Sequence, residues 1–285
     1  LFQAPMQAKV LEKIAEKGRD GFYKGEVAED MVSSLNALGG THSVEDFENV
    51  KCNYTTPISG KYGNIEMFEH PPNGQGATAI CINNILSHFD IKSMDAFGVQ
   101  RTHIEAEATK LAYDARNRFI ADKSNRIDHM LSMETAKNLA SLINPKSVTV
   151  NVKSITESVH KETICLTIVD KDLMSVSLIY SVFHSFGSGF ASSKYGINFQ
   201  NRGAGFTLER NHPNEVGAKK RPMHTIIPGM LKKNDKILMP FCVMGGAYQA
   251  TGHSRFVSNI VDFDLHPQTS IDAPRSFADG KILKV

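Results

Sequence analysis

The residues able to do chemistry are scattered through this sequence, and their spacing excludes more than it supports. His160, His184, His224 and His253 lack the spacing of a zincin site and read as polar-loop or core histidines. Cys52, Cys81, Cys165 and Cys242 stand too far apart for a zinc knuckle or a redox pair. Most of them sit among apolar neighbours and read as small core residues, so no disulfide framework is implied. G-x-S-x-G, the P-loop pattern and G-x-G-x-x-G are all absent. Nothing calls for a metal or an organic cofactor. What remains is Thr163, where "HKETICLTIVDKD" turns from a charged stretch into a strand. A threonine hydroxyl is a weak nucleophile unless a base stands beside it. A β-branched residue opening a strand is also ordinary, so composition leaves both readings open. The pair Gly245-Gly246 in "VMGGAYQ" is equally two-sided. It is either a tight strand-end turn or a backbone that can approach a developing anion closely.

The elements around these residues are easier to read. From Thr163 the period is two: Ile164, Leu166 and Ile168 face one way, Cys165, Thr167 and Val169 the other. "DKDLM" is a turn and "SVSLIYS" the returning strand, so residue 181 comes back near residue 163. Upstream, "MQAKVLEKIAEKG" places Val10, Leu11, Ile14 and Ala15 on one helical face, with Gly18 as a cap. "VAEDMVSSLNALGG" repeats the design, and "VEDFENV" begins a short helix. "YTTPISGKYGNIEMFEHPP" has strand chemistry, and "PPNGQGATAICINNIL" passes from a Gly-rich turn into an apolar helix. The longest helix is expected over "RTHIEAEATKLAYDARNRFIAD". Residues 143–162 read as a short strand and a loose polar connector. After 181, "FGSGF", "YGINFQNRGAGF", "KKRPMHTIIPGM" and "KILMPFCVMGG" read as short strands between Gly- and Pro-rich turns, and "PQTSIDAPR" as a helix start. A helix-rich first half and a strand-rich second half suit helix layers around packed sheets.

The 285 residues are 41% hydrophobic and 22% charged, the balance of a soluble globular protein. A net charge of +2, from 32 basic and 30 acidic residues, gives no reason to expect a nucleic-acid or membrane-surface partner. No apolar run is long enough to span a membrane. "LFQAPMQAKV" has no initiator Met and reads as mid-protein. The cytoplasm is slightly favoured, with export and oligomeric state left open.

Several strings, taken in order, resemble the γ-glutamyltransferase family of N-terminal-nucleophile (Ntn) hydrolases. They are "AEKGRDGFYKGEVAEDMVSSLNALGG", "PPNGQG", "KLAYDARNRFIAD", "TICLTIVDKD", "FGSG", "GINFQNRGAGF", "KKRPMHTIIPGM", "VMGG" and "DAPR". The resemblance covers nearly the whole chain. It implies an α+β fold, a four-layer αββα Ntn-hydrolase sandwich held here in part. It implies a precursor that cuts itself at Glu162–Thr163. Residues 1–162 would then be the C-terminal part of a large subunit and 163–285 the N-terminal part of a small one, within one structural domain. The cut frees the α-amine of Thr163, which titrates near ~7.7–8.0 and supplies the missing base. By the same resemblance Ser181 supports that amine, Gly245 and Gly246 hold the oxyanion, and Asn201 stands close to the site.

The sequence also departs from the family. Where relatives grip a glutamyl ammonium and carboxylate, this chain has Phe183, Arg202, Gly205, His224 and Thr225. The acidic partner is absent at Gly205, and a buried ammonium without a counter-charge is unfavourable. Arg202 suits a carboxylate instead, so the resemblance is nearest the acylase-like branch, with Arg202, His224 and Thr225 in the substrate site. The substrate expected is a small γ-glutamyl or related carboxylate-bearing acyl amide, with water, an amino acid or a peptide as acceptor. The chain also looks shortened at both ends relative to the family. The rival reading is a catalytically silent or unprocessed relative.

Overall fold

A computed structural model describes residues 3–148 and 163–285. The chain forms two compact units, Leu1–Thr55 with Val182–Asn201, and Thr56–Ser181 with Arg202–Val285. Each unit draws residues from both sides of position 163. The expected connector lies largely outside the described residues, and so does Glu162.

The first unit holds α1 (Pro5–Lys17), α2 (Asp20–Tyr23), α3 (Gly25–Ala37) and α4 (Val44–Glu48). Pro5 stands in the first turn of α1, where its missing N–H is no loss, and Gly18 closes the helix at φ 58°. Val10, Val27, Met31 and Tyr195 form its small core, whereas Leu11, expected on the buried face, points to solvent. Residues 182–201 are not the strands expected. Only a single bridge, Ala191 to Asn198, occurs there. Phe183, Phe186, Gly187, Gly189 and Gly196 all adopt positive φ, which a strand does not tolerate. The loop is held from α3 instead: the Asp30 carboxylate accepts the N–H groups of Lys194 (2.9 Å) and Tyr195 (3.1 Å).

The second unit is built on an antiparallel sheet of β1 (Ile58–Tyr62), β2 (Ile65–Glu69), β5 (Gly229–Lys233) and β6 (Lys236–Phe241), in the order β1-β2-β5-β6. Its helices are α5 (Gly76–Leu86), α6 (Val99–Phe119), α7 (Ile127–Leu131), α8 (Met133–Ala140), α9 (Gln249–Phe263) and α10 (Pro267–Asp272). Every residue of α5 is buried, as the largely apolar "GATAICINNIL" requires of a central helix, with Asn83 and Asn84 hydrogen-bonded inside. β3 (Ile164–Val169) and β4 (Ser175–Tyr180) form a separate hairpin, and β7 (Phe277–Asp279) pairs with β8 (Ile282–Lys284).

α9 has no clear helical signal in its residue types. "QATGHSRFVSNIVDF" is rich in Thr, Ser, Gly, Asn and Val, all indifferent helix formers. Tertiary burial holds it: residues 249–259 are all buried. His253 Nδ1 lies 2.7 Å from the Glu69 carboxylate in the core, and Arg255 ion-pairs with Glu105 of α6. Glu105 also takes Arg101 Nε at 2.8 Å. No helix among the described residues is long and apolar enough to cross a membrane.

The cysteines differ from expectation. Cys165 and Cys242 form a disulfide with a Cα–Cα separation of 6.2 Å, although 77 residues apart in sequence. A pairing over that distance leaves no spacing signal to read. Cys52 is exposed, while Cys81 is buried and its thiol is pushed up to about 12 by desolvation.

Candidate active site

Thr163 stands at the mouth of the β3–β4 hairpin. The ladder pairs Ile164 with Tyr180 and runs to Val169 opposite Ser175. One step beyond the first pair, Thr163 Oγ1 donates to Ser181 Oγ at 3.3 Å. Thr163 is itself buried, 5% exposed, whereas the face of Ile164, Leu166, Ile168, Val176, Leu178 and Tyr180 is open. Two links tie the hairpin to β6: Ser177 Oγ donates to the Phe241 carbonyl at 2.9 Å, and Cys165 is bonded to Cys242.

Three residues after Cys242 comes the glycine pair. Gly245 has φ 124° and Gly246 φ 58°, conformations that side-chain-bearing residues rarely adopt. The carbonyls of this turn are all held. Gly245 O accepts from Tyr248 N at 3.1 Å, and Gly246 O from Gln75 Nε2 at 3.0 Å. Ala247 O accepts from the Tyr113 hydroxyl.

The third cluster surrounds Arg202, which is buried and donates from Nη1 to Thr225 Oγ1 at 2.9 Å. His224 is pushed down to about 3, first by burial, then by the Arg202 guanidinium and His70, so it is neutral at ordinary pH. At Gly205 an added Cβ would lie 2.8 Å from the Met223 carbonyl oxygen. The backbone there leaves no room for the acidic side chain whose absence the sequence noted. Residues 222–225 are clasped by "PPNGQG": His224 N donates to Asn73 O (2.8 Å), Gln75 N to His224 O (2.9 Å) and Gln75 Nε2 to Thr225 O (2.8 Å).

A continuous path therefore runs through this unit. It passes from Thr163 to Cys165, across the disulfide to Cys242 and the glycine pair, through Gln75 to Thr225, and on to Arg202. Asn201 belongs to the other unit. There its Oδ1 accepts the His184 N–H at 3.0 Å, and its Nδ2 lies 2.7 Å from His184 Nδ1. Gln75, Tyr113 and Arg116 were not singled out in the sequence, where they read as a turn residue and two positions of a long helix. The signals that could have found them are their polarity inside segments that must be buried and their place in "PPNGQG" and "KLAYDARNRFIAD".

The gamma-glutamyltranspeptidase family model matches residues 1–284. The chain belongs to that family. The glutathione hydrolase-like YwrD proenzyme of Bacillus subtilis is 31% identical over 271 residues, which are 94% of this chain and 51% of that protein. The oxamate amidohydrolase proenzyme of Klebsiella pneumoniae is 29% identical over 96% of this chain and 52% of its own length. The crystal structure of cephalosporin acylase from Bacillus halodurans superposes with a TM-score of 0.88 at 34% identity, covering 99% of this chain and 52% of that one. The chain thus spans about half the length of the relatives it matches. As a family member it has, in part, the αββα Ntn-hydrolase fold, and its named relatives are hydrolases and acylases.

Proposed function

We propose that this chain carries the catalytic centre of a self-processing N-terminal-threonine amidohydrolase or acyltransferase. The observation that carries the reading is the hydrogen bond between Thr163 and Ser181, in a chain of this family. Opening of the Glu162–Thr163 bond frees an α-amine on the residue that bears the hydroxyl. The neutral amine takes the hydroxyl proton as Oγ1 attacks the amide carbon. The oxyanion that forms is received by N–H groups of the Gly245–Gly246 turn. The ammonium then returns its proton to the departing amine, leaving an acyl ester on Thr163. Water, or the amine of an amino acid or peptide, attacks that ester and restores the threonine.

The Arg202 cluster supports an acyl group ending in a carboxylate. A guanidinium beside a neutral imidazole and a hydroxyl attracts an anion. An ammonium brought there would meet Arg202 with no acidic side chain at position 205 to offset it. A glutaryl-type amide therefore fits better than a γ-glutamyl one.

The test is intact mass of the purified protein beside Thr163→Ala, then hydrolysis of glutaryl and γ-glutamyl anilides. Two fragments dividing at Glu162–Thr163 are expected, only in the unmutated protein, together with faster turnover of the glutaryl anilide. A folded chain that stays whole and inert overturns the catalytic reading; turnover of the γ-glutamyl anilide alone overturns the assignment of Arg202.

A further inference from the structure

We propose that Gln75 is a positioning residue, whose carboxamide sets the direction of the N–H groups in the Gly245–Gly246 turn. The inference rests on the reading above that this turn receives the oxyanion. A glycine pair is the most flexible dipeptide a chain can offer, yet oxyanion donors act through being held in place before reaction. Something outside the turn must supply that rigidity.

Gln75 has no solvent exposure and caps α5. Its Nε2 donates both to Thr225 O, at 2.8 Å, and to Gly246 O, at 3.0 Å. Its Oε1 accepts from Arg116 Nη1 at 2.9 Å. These partners determine which way round the amide lies, because a flip would set its oxygen against two carbonyl oxygens. Arg116 is in turn held by Asn117 Oδ1, at 3.1 Å from Nε and 3.0 Å from Nη2, and lies over the Tyr113 ring at 4.5 Å. A trans peptide presents its C=O and N–H on opposite sides. The bond from Tyr248 N to Gly245 O holds the peptide plane that carries Gly246 N–H, and the Gln75 bond to Gly246 O holds the plane on the other side of Gly246, so that this residue cannot swivel between them. Tyr113, on the same helix as Arg116, holds the next carbonyl, Ala247 O. Gln75, at the N-cap of α5, and Tyr113 of α6 thus hold the turn by its carbonyls.

The experiment uses Gln75→Met and Tyr113→Phe in the full chain. Tyr113→Phe removes one hydroxyl at nearly constant volume, so it carries the test if Gln75→Met does not fold. For each folded variant, kcat and KM are measured on the anilide that the unmutated protein hydrolyses. Affinities are measured for 4-boronobutanoate, which forms a tetrahedral adduct on a nucleophilic hydroxyl, and for glutarate, which does not. The expected result is a fall in kcat of roughly 10–100-fold, matched by a similar loss of boronate affinity, with KM and glutarate binding nearly unchanged. Variants as active as an active parent overturn this inference alone. So does a parallel loss of boronate and glutarate, which would mark a merely structural role. A parent inert toward both anilides overturns the functional reading and this inference with it.

Discussion

The strand that bears Thr163 and the turn that bears Gly245 and Gly246 are held in opposite ways. β3 is half of a hairpin with one apolar face open, linked to β6 by a hydroxyl–carbonyl bond and to Cys242 just beyond it by the disulfide. The turn sits between buried helices and has the carbonyls of Gly245, Gly246 and Ala247 all bonded. On the proposed reading, the residue that would gain an amine and react is held less tightly than the groups that would only receive charge. This is the division expected when the stabilising dipoles must be organised beforehand, whereas the nucleophile must still be released from a longer chain.

Two substitutions test that contrast, and a third probes the neighbouring Arg202 cluster. Gly245→Ala should do the most damage, because φ 124° excludes a side chain and the amides would turn with the backbone. We expect kcat to fall about 10²–10³-fold in an anilide assay, with the protein still folded by circular dichroism. Ser181→Ala removes the hydroxyl 3.3 Å from Thr163 Oγ1 and should lower kcat by only about tenfold, with Ser181→Thr restoring most of it. A larger loss at 181 than at 245 would reverse the contrast. His224→Asn should have the smallest effect, and on stability. The folded His224 binds its proton less readily than the unfolded one, so the unfolded state takes up more protons as pH falls from 6.5 to about 3. The unmutated protein therefore loses stability across that window, and the variant should show a shallower loss in urea-unfolding midpoints.

Some of this was open to sequence reading and some was not. The β3–β4 hairpin announces itself through period-two alternation, and its turn brings 163 and 181 together without any appeal to distant residues. α6 and α5 show their helical or largely apolar character directly. α9 was missed because its residues prefer no structure strongly and only burial by the rest of the unit makes it a helix. The stretch 182–201 misled because aromatic and apolar residues suggest strands, while the positive φ values that exclude them belong partly to phenylalanines and not only to glycines. At the site, Thr163 and the glycine pair stand in recognisable strings. Gln75 also stands in one, "PPNGQG", but the string does not mark it, since its hydrogen-bond partners lie 150 and 171 residues away.

The four-stranded sheet has a consequence for any cut before Thr163. β1 and β2 precede that bond and β5 and β6 follow it, yet β2 pairs with β5 through Glu66–Lys232, Met67–Leu231 and Phe68–Met230. The disulfide cannot join the products, because both its cysteines lie downstream. The seam between the two fragments would instead be a row of main-chain hydrogen bonds in the middle of a sheet. Each fragment made separately would carry a raw strand edge, a template for adhesion to the wrong partner. A single translated chain would hide that edge until such a scission created it, and a precursor of this kind would act as the assembly jig for its own two pieces.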